Sequence, residues 1–162
     1  MQAIVCVSKN WGIGRDGSLL FHLSGDLKRF RELTLGKTIV YGIRTLATFP
    51  NQQPLPDRNN VVLTHRLTPI PGALLAHTGA EAVALAGDDA FVVGGASVYT
   101  QMLPYCKRVL VTKVDAEVKA DSYFINLDAH PDWRVEREGE TMEENGLRFR
   151  YVDYARVQPW PA

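Results

Sequence analysis

The sequence lacks an excess of charge of either sign and has no long hydrophobic run. Its 18 Lys and Arg residues balance 18 Asp and Glu residues, so the chain has no basic field that would attract a nucleic acid or an anionic membrane surface. The longest apolar runs, such as the one around residues 39–41, are far too short to cross a bilayer. We therefore predict a soluble globular protein with neither nucleic acid nor membrane among its partners.

Cysteine and histidine are also scarce. The cysteines are Cys6 and Cys106, and the four histidines are scattered without the spacing of a zinc site. The N-terminus has neither the basic region nor the small-residue cleavage site of a signal peptide. These absences predict a cytoplasmic protein that binds no metal. The cysteines could pair in principle, but a reducing compartment favours free thiols.

The 162 residues suit one domain with its own core. Strand patterns alternate with helical ones, which is typical of an α/β fold with a mostly parallel sheet. The predicted strands are Gln2–Ser8, Thr38–Tyr41, Asn60–Thr64, Ala73–Ala76, Ala90–Val93 and Arg108–Val114. The predicted helices are Ser24–Thr34, Ile43–Thr48, Ala80–Ala86 and Ala96–Leu103. Alternating residues at 133–137 and 147–152, with Glu144-Asn145-Gly146 between them, predict an antiparallel hairpin that closes the sheet.

A glycine-rich segment follows the first strand. Residues 12–17, Gly-Ile-Gly-Arg-Asp-Gly, match the spacing of a dinucleotide-binding turn. In that motif the third glycine opens a helix at once and an acid follows about 20 residues later. Here residues 18–22 intervene before any helix, and Lys37 stands near the place of the acid. The segment therefore favours a mobile active-site loop, with a functionless surface turn as the alternative.

Asp26 lies near the start of the predicted helix 24–34, for which Ser24 is the expected cap. One stripe of this helix is apolar, and the charged residues expected to face solvent are Lys28, Arg29, Arg31 and Glu32. Asp26 borders the apolar stripe, where a carboxylate needs a donor such as the paired N–H groups of an aminopyrimidine. The alternative is that Asp26 only stabilises the helix dipole, by about 0.3–1 kcal/mol.

Three predicted strands are followed directly by residues suited to phosphate. Gly94-Gly95 leads from a buried strand into a helix, where backbone N–H groups can approach a phosphate, although two glycines also permit a tight turn without a ligand. Gly42-Ile43-Arg44-Thr45 repeats this arrangement, and Thr64-His65-Arg66 groups donors suited to a phosphomonoester. Arg58 is either an ordinary surface arginine or a partner for a carboxylate.

In order and spacing, these segments resemble the dihydrofolate reductase family across essentially the whole chain. The matching motifs are Ile13-Gly14 with the loop to Phe21, Asp26-Leu27-x-x-Phe30, Gly42-x-Arg44-Thr45, Leu55-Pro56-x-Arg58, Thr64, Gly94-Gly95-Ala96-x-Val98-Tyr99 and Thr112. The resemblance implies a single-domain α/β fold with a central, mostly parallel sheet of eight strands, a C-terminal antiparallel hairpin and about four helices. It also implies NADPH-dependent reduction of 7,8-dihydrofolate to 5,6,7,8-tetrahydrofolate. Hydride would pass from nicotinamide C4 to pterin C6, with N5 protonated through water.

The resemblance also implies roles for individual residues. Catalysis would involve Asp26, Thr112, Phe21 and Leu19, with Asp26 and Thr112 at the 2-amino and N3 edge of the pterin. Substrate would contact Ile4, Val5, Asp26, Leu27, Phe30, Phe49, Leu55, Val93, Tyr99 and Thr112, and Arg58 would hold the glutamate α-carboxylate. NADPH would contact Cys6, Ile13, Gly14, Gly17, Ser18, Leu19, Gly42, Arg44, Thr45, Leu63, Thr64, His65, Arg66, Gly94, Gly95, Ala96, Ser97, Val98 and Tyr99. A cis peptide bond between Gly94 and Gly95 is implied as well.

Two departures from the family pattern bear on function. Phe21 stands where the family usually has Trp, which removes an indole N–H that typically holds a water near the pterin. Ile43 stands where an Arg usually precedes the residue matched by Arg44, so a weaker preference for NADPH over NADH is expected. The alternatives are the pyrimidine reductase of riboflavin synthesis and a non-catalytic folate- or nucleotide-binding module. The resemblance further implies a monomer that binds diaminopyrimidine and methotrexate-like antifolates.

Overall fold

The computed structural model describes residues 1–157, which form twelve strands and four α-helices. The strands are β1 (Gln2–Val7), β2 (Gly12–Arg15), β3 (Ser18–Leu19), β4 (Thr38–Gly42), β5 (Asn59–Leu63), β6 (Ala73–Ala76), β7 (Phe91–Gly94), β8 (Arg108–Val114), β9 (Ser122–Tyr123), β10 (Trp133–Glu138), β11 (Met142–Glu144) and β12 (Leu147–Arg156). The helices are α1 (Ser24–Thr34), α2 (Ile43–Leu46), α3 (Gly79–Ala86) and α4 (Ala96–Met102).

The central sheet has the strand order β10-β12-β8-β1-β7-β4-β5-β6, with β11 paired to β12. Neighbouring strands from β8 to β6 run parallel, whereas β12 runs antiparallel to its partners. Parallel strands are covered on both faces and are therefore continuously apolar; in β4, Ile39, Val40 and Tyr41 are all fully buried. The path of eight strands confirms the α/β fold with a mostly parallel sheet.

The two faces of the sheet carry different cores because successive residues of a strand point to opposite faces. On one face, Val5 and Val7 of β1 join a core with side chains of α3 and α4. On the other face, Ile4 packs in a cluster with Phe30 of α1, and Cys6 packs against Leu23. Helix α1 therefore covers the face that carries Ile4 and Cys6.

The glycine-rich segment forms a small second sheet, in which β2 pairs antiparallel with β3 and β9. Asp16 and Gly17 make the turn between β2 and β3 with positive φ angles of 52° and 76°, as tight hairpin turns require. The Asp16 N–H donates to Asp121 Oδ2 at 2.8 Å and ties this turn to the segment before β9. The segment predicted as a glycine-rich loop is therefore a short hairpin. Strands β3 and β9 have two residues each, too few to show an alternating pattern.

The C-terminal hairpin also differs from the prediction. The turn at Asn145-Gly146 joins β11 to β12, whereas β10 pairs with the later half of β12, Trp133 opposite Arg156. Strand β12 runs past the predicted end at residue 152 because its later residues pair with both β8 and β10. Helix α2 ends at Leu46 instead of the predicted Thr48. The remaining ends agree with the predictions to about one or two residues.

Both cysteines are free thiols, Cys6 half-buried and Cys106 buried. Among residues 1–157, no helix is both long enough and apolar enough to span a membrane.

Candidate active site

Asp26 lies in the first turn of α1, against the sheet. The hydroxyl of Thr112 on β8 donates to Asp26, with an Oγ1–Oδ1 distance of 2.6 Å. Thr112 is itself 2% exposed, so its hydroxyl is held toward the carboxylate by the surrounding packing. The structure thus brings together Asp26 and Thr112, which the family resemblance implies lie at the same edge of the pterin.

The environment of Asp26 is mainly apolar. Burial raises the pKa of its carboxyl above the ordinary value, and this effect is larger than the opposing ones of the Thr112 hydrogen bond and the Arg29 guanidinium. The Glu144 carboxylate raises the pKa a little further. A desolvated carboxylate of this kind is stabilised by a ligand that donates two parallel N–H bonds.

A small pocket opens beside Asp26 between β1, the β2–β3 hairpin and the start of α1. Its lining residues are Cys6, Ile13, Leu19, Leu20, Phe21, Leu23, Asp26 and Leu27. One acid in an otherwise apolar lining is typical of a small-molecule site with a few orienting groups. Leu19 and Leu27 remain 55% and 49% exposed, so both side chains are available to a ligand.

The predicted walls of the substrate site divide between the two faces of the sheet. One apolar cluster on the α1 face holds Ile4, Phe30, Phe49, Leu55 and Val93. Val5 and Tyr99 belong to the core on the opposite face. The expectation that the Val5 side chain walls the pocket is therefore wrong, because Val5 alternates with Ile4 along β1. From the face opposite α1, the Tyr99 hydroxyl donates a hydrogen bond to the Ile4 carbonyl of β1 at 2.6 Å.

The start of α1 is held by a residue remote in sequence. Glu144 of β11 accepts hydrogen bonds from the N–H groups of Ser24 at 2.6 Å and Gly25 at 3.0 Å. The helix cap is Leu23, which makes no side-chain capping bond. The predicted Ser24 cap is thus wrong, and the Glu144 carboxylate satisfies the free N–H groups and complements the positive helix end.

Arg58 precedes β5 and is half-buried. Its Nε atom is buried and has no hydrogen-bond partner among the described residues. Burial, followed by the nearby Arg31 guanidinium, lowers the Arg58 pKa. An unpaired buried guanidinium N–H is costly, and a ligand carboxylate would relieve this cost.

The carboxyl ends of β4 and β7 lie side by side, with Tyr41 opposite Gly94. The peptide bond between Gly94 and Gly95 is cis, as predicted. A Cβ on Gly94 would lie 3.1 Å from Thr45 Oγ1, and its φ of 138° disfavours any other residue. A Cβ on Gly42 would lie 3.0 Å from a Val98 methyl group. These glycines let the two strand ends and Thr45 approach one another closely and leave bare backbone at this edge.

The polar residues beyond this edge are mostly exposed. Thr64 follows β5 and accepts a hydrogen bond from the Arg66 N–H at 3.1 Å. The predicted cofactor residues that are exposed are Gly17, Ser18, Leu19, Arg44, His65, Arg66 and Ser97. Leu63 and Val98 belong instead to the buried core, whereas Ile13 packs in that core and also lines the pocket beside Asp26. No group of His, Cys, Asp and Glu in residues 1–157 is placed to hold a metal ion.

Sequence reasoning missed four residues around the site: Arg29, Asp121, Glu144 and Tyr151. Arg29 was expected in solvent, but its guanidinium stacks on the Tyr151 ring at 3.9 Å. The spacing of Arg29 from Asp26 was a usable signal, because residues three apart on a helix are neighbours. Asp121 and Glu144 act through backbone N–H groups more than 100 residues away, at separations of 105 and 120, and no local pattern indicates such a contact.

A wider cleft of about 280 Å³ lies elsewhere, between α4 and the segment before β10. Its lining includes Leu103, Phe124, His130 and Trp133. Its lining shares no residue with the pocket beside Asp26, but it includes Ala96 and Tyr99, which the family resemblance assigns to the cofactor.

Comparison with known proteins agrees with this geometry. Residues 1–156 match the family model described as dihydrofolate reductase. Dihydrofolate reductase HdrB of Haloferax volcanii is 34% identical over 167 residues, which cover 96% of this chain and 83% of the relative. A dihydrofolate reductase of Mycobacterium tuberculosis is 38% identical over 153 residues, covering 89% of this chain and 90% of the relative.

A solved structure is similar over nearly the whole chain. It is a dihydrofolate reductase from Enterococcus faecalis complexed with NADP(H) and RAB-propyl. The TM-score is 0.86 at 28% sequence identity, with 97% of this chain and 96% of the other covered. The fold, the site around Asp26 and these matches lead to one conclusion: the chain belongs to the dihydrofolate reductase family.

Proposed function

We propose that this enzyme reduces 7,8-dihydrofolate to 5,6,7,8-tetrahydrofolate with NADPH, and that it binds the pterin against Asp26. The observation that carries the proposal is the buried Asp26 carboxylate, held by Thr112 at 2.6 Å beside an apolar pocket. The 2-amino and N3 groups of a pterin form the paired donor edge that such a carboxylate binds. Leu27 and Phe21 supply apolar surface for the ring.

The residues at the ends of β4 and β7 fit an extended dinucleotide. Gly42 and Gly94 leave bare backbone where a side chain would collide with Val98 or Thr45. Arg44, His65 and Arg66 are exposed beyond this edge, where they can meet phosphate groups in solution. NADPH, when bound, supplies hydride from nicotinamide C4 to pterin C6.

The protein orients the reactants and holds a charge at one edge of the substrate. Asp26 binds the edge of the pterin ring that carries the 2-amino group, and its charge favours a protonated pterin. A water molecule delivers the proton to N5. The Trp usual in the family would donate an indole N–H to such a water, whereas Phe21 has no hydrogen-bond donor. Leu19 and Leu20 of the hairpin segment limit the access of other water to the pocket.

Arg58 is proposed to hold the glutamate α-carboxylate of the substrate. Its buried and unpartnered Nε favours a site for a planar anion, because a guanidinium binds a carboxylate through two parallel hydrogen bonds. Leu55 and Phe49 on the same face would contact the aromatic ring between the pterin and the glutamate.

The test is the Asp26→Asn variant, assayed by the absorbance of NADPH after dihydrofolate is added. We expect hydride transfer at neutral pH to fall by about 10²–10⁴-fold, the usual range for loss of a charged acid–base group. Turnover near the wild-type rate in Asp26→Asn would overturn the proposed role. Binding of dihydrofolate to the wild-type enzyme without loss of NADPH absorbance would instead indicate a non-catalytic binding module.

Folding of Asp26→Asn is checked by thermal unfolding at two pH values. Because the Asp26 pKa is raised in the folded state, the ionised carboxylate opposes folding once the pH exceeds the ordinary carboxyl pKa. We therefore expect the variant to be more stable than wild type at pH 7, with a smaller difference below the ordinary carboxyl pKa. Cytoplasmic location, the monomeric state and binding of diaminopyrimidine or methotrexate-like inhibitors stay predictions.

A further inference from the structure

Arg29 of α1 is held in a defined position, unlike the other basic residues of this helix. Its guanidinium carbon lies 3.9 Å from the centroid of the Tyr151 ring, and its Nη2 lies 3.9 Å from Asp153 Oδ1. The side chain is 23% exposed. Its Nη1 is buried and has no hydrogen-bond partner among residues 1–157. Stacking and partial desolvation of this kind strengthen the effect of a fixed charge on its neighbours.

The register of the sheet places this charge beside Asp26. Tyr151 of β12 is the direct partner of Thr112 on β8, so the two side chains stand next to each other on one face. Asp26 binds Thr112, and Arg29 stacks on Tyr151. Residues three apart rise about 4.5 Å along a helix, close to the strand spacing of about 4.8 Å. The helix and the sheet therefore hold Asp26 and Arg29 side by side.

Asp153 completes the arrangement because it lies two residues after Tyr151, on the same face of β12. Its carboxylate attracts Arg29 Nη2 and counteracts a swing of the guanidinium into solvent. The remaining groups near Asp26 are the Cys6 thiol of β1, the Tyr151 hydroxyl of β12 and the Glu144 carboxylate of β11. None of these is a cation, and Arg29 is the cation that acts on the Asp26 carboxyl.

We propose that Arg29 is a positioning residue: its guanidinium, clamped between Tyr151 and Asp153, holds a positive charge beside Asp26 and favours the ionised form of this carboxylate when ligand binds. This inference rests on the proposed function only for the identity of that ligand. Arg29 touches neither the substrate nor the reacting atoms, and it acts through the charge state of Asp26. The role distinguishes it from Lys28, which lies on another side of the helix and is exposed.

The test measures the Asp26 pKa directly by NMR titration of its carboxyl carbon in the full-length protein. Removing a nearby cation raises a carboxyl pKa, so we expect Arg29→Met to raise that of Asp26 by about half a pH unit or more. Arg29→Lys keeps the charge and is expected to restore much of the shift. Lys28→Met is the matched control, since it removes one positive charge from the same helix, and its Asp26 titration is expected to equal that of wild type.

A second measurement follows binding of a diaminopyrimidine as a function of pH. The protonated ring of the inhibitor needs the ionised Asp26 carboxylate. The pH at which binding weakens on the acid side should therefore be higher in Arg29→Met, by the pKa shift that NMR measures. An unchanged Asp26 pKa in Arg29→Met overturns the inference, as does an equal shift in Lys28→Met. If Arg29→Met fails to fold, Arg29→Gln is measured against the same criteria.

These outcomes are separable from the proposed function, because the NMR titration requires no turnover. A raised pKa in Arg29→Met together with wild-type enzyme that never oxidises NADPH would retain the inference and overturn the function. If the Asp26 pKa is unchanged in Arg29→Met while the wild-type enzyme turns over dihydrofolate, the function is retained and the inference is overturned. A merely structural role for Arg29 would lower the melting temperature and leave the Asp26 titration in place.

Discussion

The proposed substrate side and the proposed cofactor side of the site are built differently. On the substrate side, Asp26 is held by Thr112, 86 residues away in sequence, and Arg58 has a buried, unpaired Nε. On the cofactor side, Arg44, His65 and Arg66 are exposed and follow directly after their strands. The first region is assembled by tertiary contacts between buried polar groups, and the second by the short segments that follow β4 and β5.

This difference has an energetic consequence. Removing one partner of a buried polar pair costs much free energy, because the remaining group stays buried without a hydrogen bond. Exposed charges interact through water and are worth about 0–1 kcal/mol each. Substitutions on the substrate side should therefore have large effects on function, and substitutions of the exposed cofactor residues small ones.

After Asp26→Asn, the largest effect we expect in this comparison is at Arg58. Arg58→Leu should raise the KM for dihydrofolate by about 100-fold, since loss of a buried charge pair costs about 2–5 kcal/mol. A pterin without the glutamate should be used equally well by variant and wild type. Steady-state kinetics with both substrates tests this, and a similar loss for both would remove Arg58 from the glutamate site.

Thr112→Val removes the hydroxyl donor of Asp26 with little change of shape. The Thr112 hydrogen bond lowers the Asp26 pKa, so its loss should raise that pKa further. Binding of dihydrofolate at acidic pH should weaken by about tenfold, as expected for loss of a hydrogen bond to a charged group. The difference should shrink as the pH rises above both pKa values. Thr112→Ser, which keeps the hydroxyl, should bind like wild type; a tenfold loss in it too would contradict this explanation.

Glu144→Gln tests the contact that joins the β11–β12 hairpin to the start of α1. The carboxylate accepts two N–H bonds at the helix start, so we expect the free energy of unfolding to fall by about 1 kcal/mol. Urea unfolding measures this. Glu143→Gln, one residue away and exposed, is the control, and an equal loss there would indicate a general charge effect.

The smallest effect is expected on the cofactor side. Arg66→Ala should reduce kcat/KM for NADPH by about fivefold or less, because an exposed ion pair is screened by water. The value for NADH should not change. Ile43→Arg, which restores the arginine usual in the family, should increase the preference for NADPH. A loss of 100-fold in Arg66→Ala would break the contrast between the two sides.

Most of the central sheet was predictable because its strands are continuous apolar runs, and the helices α2, α3 and α4 start after glycine or threonine. The pairing of Asp26 with Thr112 came from the family resemblance. The strands β3 and β9 were missed because two residues cannot show a period. Val5 was misplaced because the sequence does not reveal which of two alternating faces α1 covers.

Local patterning alone was sufficient for the α/β class, for the glycines at the strand ends and for Asp26 as the acid at the border of a helix. These features depend on interactions between residues that are close together in the sequence, so a short stretch of sequence is enough to predict them. The tertiary structure alone decided that Glu144 holds the start of α1 and that Arg29 stacks on Tyr151 beside Asp26. Such contacts depend on strand register and on the docking of a helix, which are set by the packing of the whole chain.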